Sequence, residues 1–428
     1  MKKFLLILNI FIFSSLNASE NLKFFVKKSI DNNLQLNAQR KSLESSKQEK
    51  NISRSEFLPS ITISGDQTST TSTNRTNQNG VNLSDSSSDT ESKTVSIEQK
   101  IFSGFKGVNT FKKSELETQK ASFELEQAKQ KTIFDTASAY LDLIFKIKNE
   151  EFNFSNVNLF ERQVESDSAR LQKGEITLTD LAQSESSLAG AKAKLIKAKT
   201  ELLSSKTNFE RITREKVPGI ENLDEEIILD LPNSLNSSLK LSNLNNLSIL
   251  ISRIDLEISK KELNIERARL SPSASIKVSK SEIRDFSSTI DKKDDETVEA
   301  TVTWPLIKGG ENISSIKKAT FNKERAQLIL QDTKNKINTE ISNSWSNYQS
   351  SKSVLDATKA QLKAAEIANE GISLEYDSGN TRTTLDVIQS RSLLLEARIA
   401  FARAQRDFMV SQFELAKQIG TLSLQLLK

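Results

Sequence analysis

The chain of 428 residues contains no cysteine and no histidine. The first absence excludes disulfides, thiol chemistry and Cys/His zinc sites, and it removes a lipidated N-terminal cysteine as an anchor. The second excludes any mechanism that rests on an imidazole base. Proline is nearly missing: the five are Pro59, Pro218, Pro232, Pro272 and Pro305, and none falls inside an expected long helix. A proline costs about 3 kcal/mol in a helix interior, so these residues mark breaks in the chain. Of the 12 glycines, only Gly190 and Gly371 sit well inside helical pattern. No block of one charge stands out. The 60 basic and 56 acidic residues leave a net charge of +4 and are interspersed, as on solvated helix faces. Without a basic patch, no nucleic-acid partner is expected. No pair of acids is set apart for carboxylate catalysis, so neither an enzyme activity nor a cofactor nor a metal is expected.

Long apolar runs are also missing beyond the start of the chain. Residues 1–19 carry Lys2 and Lys3, a nearly continuous apolar run from Phe4 to Phe13, and a small polar end with Ala18 as a cleavage point. That is the pattern of a secretory signal peptide, and the apolar run falls short of the ~20 residues that span a bilayer. No later segment reaches that length, so a membrane crossing after export would have to be a β-barrel.

What is present is present twice. Gly104 is matched by Gly309, Tyr140 by Trp345 and Gly174 by Gly379, each pair 205 positions apart. Each copy runs in the same order: proline, alternating strand, polar loop, alternating strand, glycine, a very long helix, a glycine turn, a second long helix. In the first copy Ile61 and Ile63 alternate with Ser60, Thr62 and Ser64, residues 66–93 read as loop, and Val95, Ile97 and Ile101 resume the alternation. In the second, Ile276 and Val278 alternate with serine and lysine, residues 284–295 read as loop, and Val298, Ala300, Val302 and Trp304 alternate with threonine and glutamate. Two such runs around a polar loop predict a hairpin, about 60–102 and 273–305. Pro59 to Gly104 spans 45 positions and Pro272 to Gly309 spans 37, so the length difference falls on the hairpin tip.

The helices are expected at 107–173 and 179–214, and at 310–377 and 382–420, with a further helix ahead of each hairpin at 21–56 and about 238–270. A helix of that first size is roughly 100 Å long at 1.5 Å per residue and needs partners along its length. Leu181, Leu188, Leu195, Leu202 and Phe209 recur at sevens, with Ser184, Ala191, Ala198 and Ser205 between them. Ile388, Leu395, Ala402, Met409 and Ala416 keep sevens in the second copy, as do Ile341, Tyr348, Leu355 and Leu362. This is coiled-coil packing with small residues allowing close approach. Residues 20–214 and 238–428 are thus two repeats, and 215–237 is an extended connector.

Four strands, each with one apolar and one polar face, have no other sheet to pack against. In an outer-membrane barrel the apolar face meets lipid, the polar face meets water, and an interfacial aromatic such as Trp304 marks the boundary. Four strands cannot close a barrel, and open edges in lipid leave backbone groups unpaired. Several copies must share one barrel: two copies give 8 strands with little lumen, and three give 12 strands and an aqueous bore.

The chain resembles the TolC family of outer-membrane efflux proteins. The resemblance rests on residues 57–65 and 270–279 around two prolines, on 98–107 and 302–311 at the strand-to-helix entries, and on the two helix turns. Those turns run from Lys173-Gly174 to Thr179-Asp180-Leu181, and from Tyr376 through Gly379 and Thr381-Arg382 to Leu385-Asp386-Val387. It implies a homotrimer with a 12-stranded barrel in the outer membrane and a 12-helix periplasmic barrel. It further implies docking with a periplasmic adaptor and an inner-membrane pump or ABC exporter, for drug efflux or type I protein secretion. By position, it implies that Asp180 accepts hydrogen bonds from Tyr376 and Arg382, with Thr179 adjacent, and that Asp386 projects into a constriction. Gln389 stands where relatives commonly carry a second acid. The competing expectation is a secreted coiled-coil scaffold or adhesin without a pore.

Overall fold

The computed structural model describes residues 22–217, 229–287, 290–378 and 382–427. The expected signal peptide and the turn glycine Gly379 lie outside these residues. The chain opens with α1 (Leu22–Asn32), α2 (Leu34–Arg54) and a 3-10 turn, Ser55–Phe57. Strands β1 (Ser60–Ser72) and β4 (Ser86–Ser103) make the first hairpin, with two short strands, β2 (Arg75–Thr76) and β3 (Asn82–Leu83), at its tip. Helices α3 (Lys106–Gln172) and α4 (Leu178–Thr213) follow. The second half supplies α5 (Leu235–Asn245), α6 (Leu247–Ala268), β5 (Ser273–Ser287), β6 (Ile290–Thr303), α7 (Glu311–Asp377) and α8 (Thr384–Ile419). No helix among the described residues is long and apolar enough to cross a membrane.

Two expectations need correction. The loops read at 66–93 and 284–295 are largely strand: β1 runs on to Ser72, β4 starts at Ser86, and β5 and β6 together reach Ser287 and Ile290. These stretches lack an apolar face, which is why they read as loop. Main-chain pairing from Gly65↔Lys93 to Ser72↔Ser86 extends the hairpin without one. The helices read as continuous at 21–56 and 238–270 are each broken at an asparagine. Asn33 Oδ1 accepts the Leu36 N–H at 3.0 Å and restarts the helix. Asn246 leaves helical geometry at ψ 119°, and its side-chain amide donates to Gln418 O at 2.8 Å.

The chain forms two compact units. One comprises Gln39–Leu125 and Leu247–Asn335 and holds the sheet. Its order is β1-β4-β5-β6, antiparallel throughout, with β1 and β6 at the edges. Register puts Ile61, Ile97, Val278 and Val298 in one row, and all four are exposed. The neighbouring row, on the other face, is Thr62, Ser96, Ser279 and Thr297. At the strand-to-helix entry Gly104 has φ +62°, and a Cβ there would stand 2.6 Å from Ala268 O. Only glycine fits such a site. Trp304 is exposed and donates its Nε1–H to Leu270 O at 3.0 Å.

The other unit comprises the described residues within 22–38, 126–246 and 336–427. Tyr140 is fully buried there, its ring 6.0 Å from Phe25 and 6.3 Å from Phe209. On α4 the small series is buried throughout, at Ser184, Ala191, Ala198 and Ser205, and Leu195 and Phe209 are buried beside it, whereas Leu181, Leu188 and Leu202 are half-buried. Small side chains let the helix backbones close on one another, so Leu181, Leu188 and Leu202 lie at the rim of the contact.

Candidate functional site

The site builds up from two helix turns. At the first, Gly174 (φ +76°) ends α3, and the Glu175 N–H returns to Arg170 O at 2.9 Å. A left-handed glycine closing a helix in this way satisfies carbonyls that the last turn would otherwise leave bare. Helix α4 then starts from a reciprocal cap. Thr177 Oγ1 accepts the Asp180 N–H at 3.3 Å, and Asp180 Oδ2 accepts the Thr177 N–H at 2.9 Å and its hydroxyl at 2.7 Å. The second turn repeats the device with Thr383 and Asp386: Asp386 Oδ2 accepts the Thr383 N–H at 2.9 Å and its hydroxyl at 3.0 Å. Both carboxyls are held below the usual aspartate range, first by the backbone N–H and then by the hydroxyl.

One turn deeper lies a polar node. Asp167 on α3 is fully buried. Its carboxylate accepts from Gln163 Nε2 at 2.9 Å, from Ser184 Oγ on α4 at 2.5 Å, and from the Tyr376 hydroxyl on α7 at 3.0 Å. The Tyr376 hydroxyl also shares a 3.1 Å hydrogen bond with Thr384 Oγ1 on α8. Arg391 on α8 donates to Gln163 Oε1 at 3.0 Å and to Leu159 O at 3.4 Å. The Arg170 guanidinium covers the Tyr376 ring at 4.6 Å. All four long helices meet here. A buried carboxylate is tolerated when donors replace its lost water, and three donors do so. Burial pushes the Tyr376 phenol up and draws the Arg391 guanidinium down. Below the node, Val157, Phe160, Ala191, Leu195 and Ile388 form an apolar plug.

The expected gate residues are distributed differently from the resemblance. Tyr376 donates to Asp167, not to Asp180. Arg382 Nε pairs with Glu375 Oε2 at 2.6 Å, which holds the guanidinium above its ordinary value. The reason is local: Asp180 Oδ2 is filled by its own cap, while Tyr376 lies on the buried side where Asp167 needs a donor. Thr179 on the first turn of α4 and Gln389 on the second turn of α8 are exposed. Gly174 has open space around it. Sequence reading missed Asp167, Gln163, Thr384 and Arg391. A signal existed, since Asn153, Phe160 and Asp167 stand at sevens on α3 and all are buried. A carboxylate in an apolar heptad position requires built-in partners.

Three comparisons bear on this arrangement. The family model described as outer membrane efflux protein matches residues 25–213 and 239–421. The outer membrane efflux protein BepC of Brucella suis is 24% identical over 416 residues, covering 95% of this chain and 86% of that protein. The outer membrane protein TolC of Escherichia coli is 24% identical over 426 residues, covering 96% and 84%. Among solved structures, the CmeC outer membrane channel of Campylobacter jejuni aligns with a TM-score of 0.80 at 18% identity, covering 94% of this chain and 85% of that one.

Proposed function

Because the chain belongs to the outer membrane efflux protein family, we propose that three copies close into one duct whose periplasmic end is shut by the node around Asp167. The chain is an outer-membrane efflux channel with a large periplasmic portion. The observation that carries the shared barrel is the sheet itself. Strands β1 and β6 are both open edges, and the face bearing Ile61, Ile97, Val278 and Val298 has no cover among the described residues. In lipid each unpaired edge group costs several kcal/mol, so β1 of one copy must pair with β6 of the next. Trp304 then sits at the periplasmic membrane boundary. A scaffold without a pore leaves that apolar face unexplained.

Substrates pass unchanged, since the duct's work is conduction and not catalysis. A periplasmic adaptor and an inner-membrane pump or ABC exporter complete the path. The exposed leucines Leu178, Leu374 and Leu385 beside the helix turns offer the adaptor an apolar rim. Opening separates the α3–α4 pair from the α7–α8 pair, which breaks the Tyr376–Asp167 and Arg391–Gln163 bonds. The caps at Asp180 and Asp386, the Arg382–Glu375 pair and the turn at Gly174 keep each pair rigid while it moves. Asp386, one per copy, rims the constriction as a ring of three carboxylates that attracts cations. With Gln389 at the next turn, there is one ring and not two.

Planar-bilayer recording tests this reading. Tyr376→Phe is expected to raise single-channel conductance, and Asp386→Asn to weaken block by multivalent cations applied from the helix-turn side. Unchanged conductance removes the node from the gate, and unchanged block removes Asp386 from the constriction.

A further inference from the structure

Gly371 stands in the interior of α7, where glycine weakens a helix, and a Cβ placed on it would meet no neighbour within 4 Å. Neither the gate node nor either cap uses it. It belongs to an uncovered strip, in which Ala357, Ala364 and Gly371 stand at sevens with Ile367 between the last two. Helix α4 carries a strip of the same kind, with Ala189, Ile196 and Leu203 at sevens and Ala193 between the first two. Each strip lies roughly 150° round its helix, at 100° per residue, from the face that packs on α3 or on α8. Its apolar members are open to solvent: Ile196, Leu203 and Ile367 are 67%, 65% and 63% exposed.

Contacts within the chain set the heights of the two strips. Asp142 on α3 accepts from Ser205 on α4 at 3.1 Å and pairs with Arg406 on α8 at 3.5 Å. Five residues past Arg406, Ser411 shares a 2.8 Å hydrogen bond with Ser351 on α7. Ser205 is therefore level with Asp356. Nearer the turns, Glu161 on α3 pairs with Lys192 on α4 at 3.0 Å, and Arg391 on α8 reaches Leu159 and Gln163 on either side of Glu161. Ser390, beside Arg391, accepts from Asn369 on α7 at 2.9 Å, so Lys192 is level with Ala368. Both paths bring Ile196 level with Ala364 to within about one residue of helix rise. The two strips run antiparallel, since α4 leaves its turn and α7 approaches its own.

Each strip points away from the helix that its own copy packs against it, so the cover must come from outside the chain. A second copy offers the matching face at the matching height. Rotation about an axis parallel to the helices leaves every residue at its level, and a contact between two different faces can close into a ring. In that register each large side chain meets a small one. Ile196 meets Ala364, Leu203 meets Ala357, and Ile367 meets Ala193. Gly371 meets Ala189, where the absent side chain lets the backbones close on one another. A slip of one heptad would displace the strips by about 10 Å. Flanking charge does not choose the register, being opposite at Lys206 and Asp356 and alike at Lys199 and Lys363.

We propose that residues 357–371 of α7 seat on residues 189–203 of α4 in a second copy, antiparallel, with Ile196 over Ala364 as the central layer. The contact rests on the reading that three copies share one duct, and it assigns the helix faces by which each copy holds the next.

Cysteine pairs in the full chain test it, because no native cysteine competes. The variants I196C/A364C, I196C/A357C and I196C/G371C are oxidised in isolated outer membranes and run on denaturing gels. The first is expected to give covalent dimers and trimers at least about tenfold more abundantly than the other two, whose partner cysteine lies a heptad away, beyond disulfide reach. Equal yields, a larger yield from either displaced pair, or a link closed within one chain overturns the seam. G371L adds bulk where the backbones meet while favouring the helix itself. It is expected to lower the temperature at which the assembled species dissociates, and a temperature equal to or above that of wild type overturns the close approach. Native mass spectrometry of the wild type in detergent separates the two levels. A monomer overturns the shared duct beneath the proposal, whereas a trimer whose I196C/A364C variant forms no link overturns the seam alone.

Discussion

A carboxylate with no water around it must be solvated by its neighbours, and Asp167 shows how one side chain can commit four helices to one arrangement. Removing the phenolic hydroxyl in Tyr376→Phe leaves Asp167 one donor short. The expected loss is about 1–3 kcal/mol of local stability, read as faster amide exchange in residues 159–170 and 374–391. Asp180→Ala removes a cap instead. Its expected cost is about 1 kcal/mol, confined to the first turn of α4, with conductance unchanged. The caps also set a pH dependence. Asp180 and Asp386 have depressed folded-state values, so their contribution is complete above the ordinary aspartate range near 3.9 and is lost as pH falls through the depressed values. Exchange at residues 177–180 and 383–386 should therefore accelerate only below about pH 4. The sequence carries the caps locally, since Thr and Asp stand three apart at each helix start. It hid the node, because which donor reaches Asp167 depends on helices that are hundreds of residues apart in the chain.

Elements repeat more faithfully than the residues that join them. Gly104 and Gly309 are matched in sequence and both have positive φ, yet a Cβ at Gly104 would strike Ala268 O whereas none would strike anything at Gly309. Gly309→Ala is expected to cost about 1–2 kcal/mol for the left-handed backbone alone. Gly104→Ala should cost distinctly more, since a backbone carbonyl cannot swing aside. Heat resistance of the assembled species on gels measures both, and equal losses would contradict the difference in packing. The apolar alternation identified the four strands because one face of each meets something nonpolar. It underestimated their length because the serine- and threonine-rich upper parts are polar on both faces. The breaks at Asn33 and Asn246 were illegible for a different reason: each is a single residue inside an otherwise helical pattern, and Asn246 is fixed by a distant carbonyl at Gln418.

At the scale of the whole molecule, the account depends on a sheet that cannot satisfy itself. The duplication and the scarcity of proline and glycine announced long paired helices and two hairpins, and the family match places the chain in the outer membrane. The expected copy number rests on geometry alone, on four strands and two open edges. Because the chain has no native cysteine, pairing of those edges can be read cleanly. Single cysteines are placed on β1 at Thr62 or Ser64 and on β6 at Thr297 or Thr301, in all four combinations, and oxidised in isolated outer membranes. The account predicts that at least one combination yields a covalent ladder ending at three chains. A ladder that stops at two chains or runs on past three would contradict the shared barrel. So would the absence of any cross-link in a chain that purifies as an ordered monomer.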